Sequence, residues 1–266
     1  MPVEWPTGTD VVTVALRDHV AVITLNRPER RNAIHHEMHE PITRGLDEFA
    51  GRDDIGCIVL TGAGAAFCAG GDVKGDGSDW SALDDDARAT RLTADAQIAR
   101  LLHEHPKLTV AAVNGPAVGA GMALALACDL RIATESARFV TGWARFAFSG
   151  DYGGAWFLTR LVGPSRALEL LATNASVTAD EALALGLVNR VEPDAEFADA
   201  WPAWASELAA GPTGAIAGMK ANVRDAVELS LPDALPREAQ RMIASRGTAE
   251  HREAVRAWMA ERPRNR

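Results

Sequence analysis

The stretch "LTVAAVNGPAVGAGMALALACDL", Leu108 to Leu130, admits two readings with opposite consequences for the fold. Its length and apolar character match a membrane-spanning helix. Asn114, Gly115 and Pro116 break that helix in the middle, and Asp129 places a carboxylate near its end. Glycine and proline mark turns, so the pattern predicts a buried strand "LTVAAVNG", a turn "PAVGAG" and a short helix "MALALA". The stretch is a core element of an α/β protein, not a bilayer span.

Upstream, "IGCIVLTG" is a second short, β-branched strand, and it too runs into glycine, "GAGAAFCAGGD". Earlier still, "VVTVALRDHVAVITLNRP" alternates apolar and polar residues about Arg17-Asp18-His19, predicting a β-hairpin of Val11–Ala15 and Val20–Leu25. "EMHEPITRGLDEFAG" has helical spacing, with Pro41 expected near the first turn, where its missing N–H is tolerated. The acidic stretch from Lys74 to Arg91 is poor in apolar residues and reads as a mobile surface segment before a helix at Leu92–His105.

Downstream, "LRIAT" and "ARFV" read as strands. Beyond Gly153 the pattern is helical over Ala155–Leu161, Ser165–Ala172, Ala179–Leu185 and Glu196–Ala209, then three more helices, with one strand at "NRVEP". Alternating strands and helices predict an α/β core over residues 1–195, and residues 196–266 form a C-terminal helical region. Trp201, Trp204 and Trp258 lie on apolar faces of that region, which must pack against the core or a neighbouring subunit.

A chain of 266 residues can bury about three-quarters of its unfolded surface. With 27 basic against 36 acidic residues, the net charge of −9 argues against nucleic acid or an anionic membrane as partner. Cys57, Cys68 and Cys128 are odd in number and follow no metal-ligand spacing, which predicts a reduced, cytoplasmic setting. The opening "MPVEWPTGTD" has neither the basic nor the apolar part of a signal peptide.

Chemistry-bearing residues gather at few places. The glycine-rich loops "FCAGGD" (67–72) and "NGPAVGAG" (114–121) each follow a strand, and the second opens a helix. Brought together, they would aim backbone N–H groups at one oxygen, as an enolate or tetrahedral oxyanion requires; glycine-dependent tight turns explain them equally. A dinucleotide fingerprint fails, because Leu124 stands where the last glycine belongs and Asp129 comes too soon for the ribose acid. His35 and His39 have helical spacing but no third ligand, so a metal site is not expected. Asp84-Asp85-Asp86 reads as solvated surface. In "SGDYGG", Ser149 to Gly154, Asp151 either caps a helix or works as a catalytic carboxylate with glycines clearing space around it.

In their order and spacing, "NRPERRNAI", "FCAGGD", "AAVNGPAVGAGMALALACDLRIAT", "RFV", "LVG" and "ALALGLVNRV" resemble the crotonase (enoyl-CoA hydratase/isomerase) superfamily over about Val11 to Lys220. The resemblance implies a crotonase-like spiral of ββα units, a C-terminal helical trimerisation region giving a homotrimer or hexamer, and an acyl-CoA thioester substrate. Coenzyme A then arrives on the substrate, with no separate cofactor and no metal. The implied oxyanion donors are the N–H groups of Gly71 and Ala120, and the implied CoA-contacting residues are Arg31, Ala33, Ala69, Asp72 and Val73.

The departures from the pattern are as informative. Typical hydratases carry two glutamates, at positions that here hold Ala123 and Trp143. A general acid or base contributes about 10²–10⁴-fold, so hydration by that pair is not available. Asp151 remains, with Trp143 eight residues before it, resembling the nucleophile and its supporting tryptophan in the chlorobenzoyl-CoA dehalogenase branch. The histidine that branch uses for hydrolysis would fall near Ala96, between Asp95 and Gln97. Asp151 beside Trp143 in a partly apolar pocket is expected to have a raised pKa. Three readings stay open: a single acid/base at Asp151 (isomerase or atypical hydratase), a covalent Asp151 nucleophile, and a non-catalytic acyl-CoA binder. Trp143, Phe146, Phe148 and Trp156 hint at a bulky acyl group, and a structural core would explain them as well.

Overall fold

The computed structural model describes residues 3–72, 75, 80 and 82–261. The chain begins with β1 (Val3–Trp5), β2 (Val12–Arg17) and β3 (Val20–Leu25), paired antiparallel in that order. The hairpin turn is the dipeptide Asp18-His19, with left-handed φ of 47° and 64°. Two left-handed turn residues match the twist of hairpin strands, and the first strand therefore runs to Arg17, beyond the expected Ala15.

Next come α1 (His36–Ala50), β4 (Cys57–Gly62), α2 (Asp85–Asp95), α3 (Gln97–Glu104) and β5 (Leu108–Val113). Two expectations are corrected here. Pro41 sits inside α1 and not in its first turn. Of the stretch Lys74 to Arg91 read as a mobile surface segment, residues 74, 76–79 and 81 lie outside the described residues, and the part from Asp85 on is helical, because Asp84 Oδ1 accepts the Ala87 N–H (2.8 Å) and caps α2. The exposed aspartate run also places negative charge at the positive end of that helix.

The remainder is β6 (Ala117–Val118), α4 (Ala120–Ala127), β7 (Leu130–Thr134), β8 (Arg138–Val140), α5 (Gly154–Thr173), β9 (Ser176–Thr178), α6 (Ala179–Ala184), β10 (Arg190–Glu192), α7 (Phe197–Ala209), α8 (Thr213–Glu228), α9 (Leu231–Arg246) and α10 (Ala249–Glu261). The two helices expected before residue 173 are both present: α5 is two helical runs joined end to end across Gly163, whose φ/ψ of 76°/162° is not helical. β9 has no pattern of its own, being three residues long, and was not anticipated from the sequence.

Among the described residues the main sheet has the order β1-β2-β3-β4-β5-β7-β10, parallel from β3 onward, and a small sheet runs β6-β8-β9. Strand side chains alternate between faces, and each face has its own cover. Ile58 and Leu60 join Leu46, Phe49 and Leu102 from α1 and α3. Cys57 and Val59 join Phe197, Trp204 and Ala205 of α7. Trp204 is thus buried on the sheet, whereas Trp258 is 52% exposed on α10. α8 is tied to the core by Lys220 Nζ, 2.6 Å from Asp129 Oδ2. Its face carrying Met219, Val223 and Val227 is exposed. None of the helices among the described residues is long and apolar enough to cross a membrane.

Candidate active site

Both glycine-rich loops leave the ends of neighbouring parallel strands, β4 and β5, so the sheet delivers them to one place. They then run side by side: Cys68 N–H donates to Pro116 O (3.2 Å) and Val118 N–H to Cys68 O (2.9 Å). Contact is so close that a Cβ on Gly121 would lie 2.4 Å from the Cys68 carbonyl oxygen. Two side-chain amides, of buried Asn32 and half-buried Asn114, brace the approach. Asn32 Nδ2 donates to Ala63 O and Ala66 O, while Asn114 accepts from Gly62 N–H and donates to Gly64 O. The sequence marked Asn114 only as a break and Asn32 only within a motif; their positions beside turns were the available signal for this bracing role.

The second loop ends at Gly119, φ 54°, which precedes the first residue of α4, Ala120. Gly119 N–H is spent on Val140 O (2.9 Å), and the first intrahelical bond is Ala123 N–H to Gly119 O (2.9 Å). The N–H of Ala120 therefore belongs to the free donors of a helix start. In the first loop, Gly71 bridges Ile34 through Gly70 O and Asp72 N–H. Parallel pairing of that kind turns the N–H of Gly71 to the opposite side. The loops converge, since a Cβ built on Gly70 would stand 3.7 Å from Ala120 N. Gly71 and Ala120, the expected pair, are thus on adjoining loops at one helix N-terminus.

Trp143 opens a short 3-10 turn, Trp143–Phe146, after β8. Its ring nitrogen Nε1 donates to Asp151 Oδ1 at 2.8 Å. Trp143 is 6% exposed, and a Cβ built on Gly119 would lie 4.0 Å from that same nitrogen. The indole therefore connects the Asp151 carboxylate to the turn that presents Ala120. Burial pushes the Asp151 carboxyl above its ordinary value, and the Trp143 hydrogen bond offsets only part of this.

The capping alternative for Asp151 fails. The N-cap of α5 is Gly153, without a side-chain cap, and Asp151 supplies only its backbone oxygen, to Gly154 N–H (2.9 Å). The expectation that the glycines clear room for an acyl chain is also corrected at Gly154: a Cβ there would lie 2.1 Å from Trp143 Cη2, so the indole fills that space.

Of the expected CoA-contacting residues, Arg31, Ala33, Ala69 and Asp72 come together, because Ala69 N–H donates to Arg31 O (2.9 Å) and Asp72 N–H to Ile34 O (3.3 Å). The Asp72 carboxylate pairs with Arg27 Nη2 at 3.1 Å. Val73 lies outside the described residues. His35 and His39 do not share a helix face: His35 precedes α1 and caps it by accepting the Glu37 N–H. Cys68, between the two loops, is no nucleophile, as burial pushes its thiol up to about 12. Phe146 and Phe148 stack on each other, 52% and 64% exposed, rather than joining a core. Trp156 packs on Phe157 and lines a separate cavity of about 500 Å³ between α5 and α8, which touches none of Gly71, Ala120, Trp143 or Asp151.

The Enoyl-CoA hydratase/isomerase family model matches residues 16–265. The chain is 36% identical to 4-chlorobenzoyl coenzyme A dehalogenase-1 of Arthrobacter sp., over 89% of this chain and 86% of that protein. It is 35% identical to 1,2-epoxyphenylacetyl-CoA isomerase of Escherichia coli, over 91% and 93% respectively. A crystal structure of an enoyl-CoA hydratase from Polaromonas sp. JS666 superposes with a TM-score of 0.88 at 29% identity, covering 94% of this chain and 97% of that one. With its parallel sheet, its paired glycine loops and these relatives, the chain is an enzyme of the crotonase superfamily and belongs to the enoyl-CoA hydratase/isomerase family.

Proposed function

We propose that the protein processes an acyl-CoA thioester with Asp151 as its single acid/base, as an isomerase or an atypical hydratase. The observation that carries this reading is the half-buried Asp151 carboxylate, held 2.8 Å from Trp143 Nε1 beside the start of α4. In the proposed reaction the thioester oxygen accepts the N–H groups of Gly71 and Ala120. Asp151 removes a proton from the acyl chain, the electron pair moves onto that oxygen, and the enolate forms. For isomerisation the same proton returns at another carbon, which requires one carboxylate and not two. Ala123 and Trp143, at the positions typical hydratases give to glutamate, supply no second one. The raised pKa brings Asp151 closer to the range where one group can both take and return a proton. Coenzyme A carried by the substrate is the only cofactor this chemistry calls for. The exposed apolar residues of α8 and α9, among them Val223, Val227 and Ile243, support assembly into a homotrimer or hexamer.

Asp151→Asn tests the assignment. Turnover of a panel of acyl-CoA thioesters is expected to fall about 10²-fold or more, and solvent-deuterium exchange into the acyl chain to vanish with it. Wild-type turnover by that variant would exclude an acid/base role.

A second reading is favoured by one contact. The Trp143–Asp151 bond reproduces the supported-nucleophile pair to which the sequence is similar, and a relative is named as a dehalogenase. Mass spectrometry of enzyme quenched during turnover separates the two, because only the covalent route leaves an ester on Asp151.

A further inference from the structure

Tyr152, the only tyrosine in the chain, directly follows Asp151. Its backbone is left-handed, φ 49°, a conformation that bulky side chains avoid. The ring is nonetheless buried, 6% exposed, and its hydroxyl lies 2.7 Å from Nε2 of His39 on α1. His39 is oriented in turn. Its Nδ1 is 3.1 Å from the carbonyl oxygen of His36, so Nδ1–H donates there and Nε2 accepts from the tyrosine hydroxyl. Asp95, ending α2, places Oδ1 3.8 Å from the same Nε2. Residues from α1 and α2 therefore converge on the neighbour of the reacting carboxylate.

Asp151 sits where the chain is otherwise poorly constrained. Gly150 and Gly153 flank it with φ of 124° and 73°, and glycine has the widest backbone freedom to lose. On one side Asp151 Oδ1 is held by Trp143. The strained, buried Tyr152 is the counterweight on the other.

We propose that Tyr152 and His39 are positioning residues, whose mutual hydrogen bond fixes the Asp151 carboxylate against Trp143. The catalytic consequence rests on the acid/base reading of Asp151, since small displacements of a reacting group are costly, about 10²-fold for 1 Å. Tyr152→Phe keeps the ring and its burial and removes the hydroxyl. It is expected to lower kcat roughly 10-fold with KM nearly unchanged. His39→Gln, whose side-chain oxygen can accept near the place of Nε2, retains most of the rate, whereas His39→Leu behaves as Tyr152→Phe. The Tyr152→Phe/His39→Leu double variant is no slower than either single one.

A second readout does not depend on turnover. The indole N–H resonance of Trp143 in ¹⁵N-tryptophan-labelled protein, assigned by its loss in Trp143→Phe, reports the bond to Asp151. It is expected to move in Tyr152→Phe and to stay in place in His39→Gln. An unmoved resonance in Tyr152→Phe overturns the proposal. So does wild-type kcat in Tyr152→Phe when Asp151→Asn is inactive, and so does a covalent Asp151 adduct accumulating in His39→Gln, which would make His39 a hydrolytic base. A moved resonance together with a fully active Asp151→Asn enzyme would remove the acid/base reading and leave the positioning pair standing.

Discussion

The start of α4 and the Asp151 loop meet at Trp143, yet they are built by opposite means. The first is fixed by the absence of atoms: Gly121 lets two backbones close to a distance at which no Cβ fits. The second is fixed by polar side-chain contacts, Trp143 to Asp151 and Tyr152 to His39. As the proposed oxyanion site, a backbone device would stabilise charge on any thioester, whichever acyl group is attached. A side-chain device can be exchanged residue by residue, and the chain's relatives are named hydratase, isomerase and dehalogenase. On the proposed reading, the common step would reside in the backbone and the particular reaction in the loop.

That contrast can be broken by substitution. Gly71→Pro removes one expected oxyanion donor whose N–H the bridge to Ile34 does not use. It is expected to lower turnover about 10²–10³-fold on every acyl-CoA that the enzyme accepts, by steady-state kinetics. An unchanged rate in folded Gly71→Pro would move the oxyanion site elsewhere. Gly154→Ala acts on the other device, forcing the indole off the backbone it covers. A loss of roughly 10²-fold in kcat is expected, with the donors at Gly71 and Ala120 untouched and KM little changed. Trp143→Phe is milder, about 10-fold in kcat, because it deletes one hydrogen bond and keeps most of the packing.

The smallest effect concerns stability and distinguishes the loop from a purely structural turn. Asp151 has a raised pKa in the folded protein, so folding favours its protonated form. Its contribution is fully present below the ordinary aspartate range and is lost as pH rises through the raised value. Relative to wild type, the melting temperature of Asp151→Asn should therefore rise as pH increases from below the ordinary aspartate range toward neutral. Thermal melts across that range check it, and a variant that melts lower at pH 7 would show a net stabilising carboxylate.

Much of the scaffold was legible because it depends on periodicity and on glycine. The hairpin about Asp18-His19, the strands β4 and β5 and the break at Asn114-Gly115-Pro116 each announce themselves locally. What escaped depends on distant partners. β9 is too short to carry a period, and its place is set by pairing with β8. Trp143 and Asp151 were paired only through resemblance, since an eight-residue spacing does not itself bring two side chains together. Tyr152 with His39 was invisible: 113 residues separate them, and His39 stood out only through its spacing from His35. Gly154 was misread because a glycine that admits a ligand and one that admits an indole look alike in sequence.

The three cysteines carry a practical consequence. All are at most 3% exposed, and burial raises each thiol to about 12, so none reacts while the protein stays closed. They report on two places: Cys68 lies in the first site loop, whereas Cys57 beneath α7 and Cys128 after α4 both lie near Asp129 and Lys220. Alkylation rates at each one, read by mass spectrometry, would thus time the opening of the site loop separately from that of the region under α7 and α8 in an unmodified chain. The molecule comes with its own set of clocks.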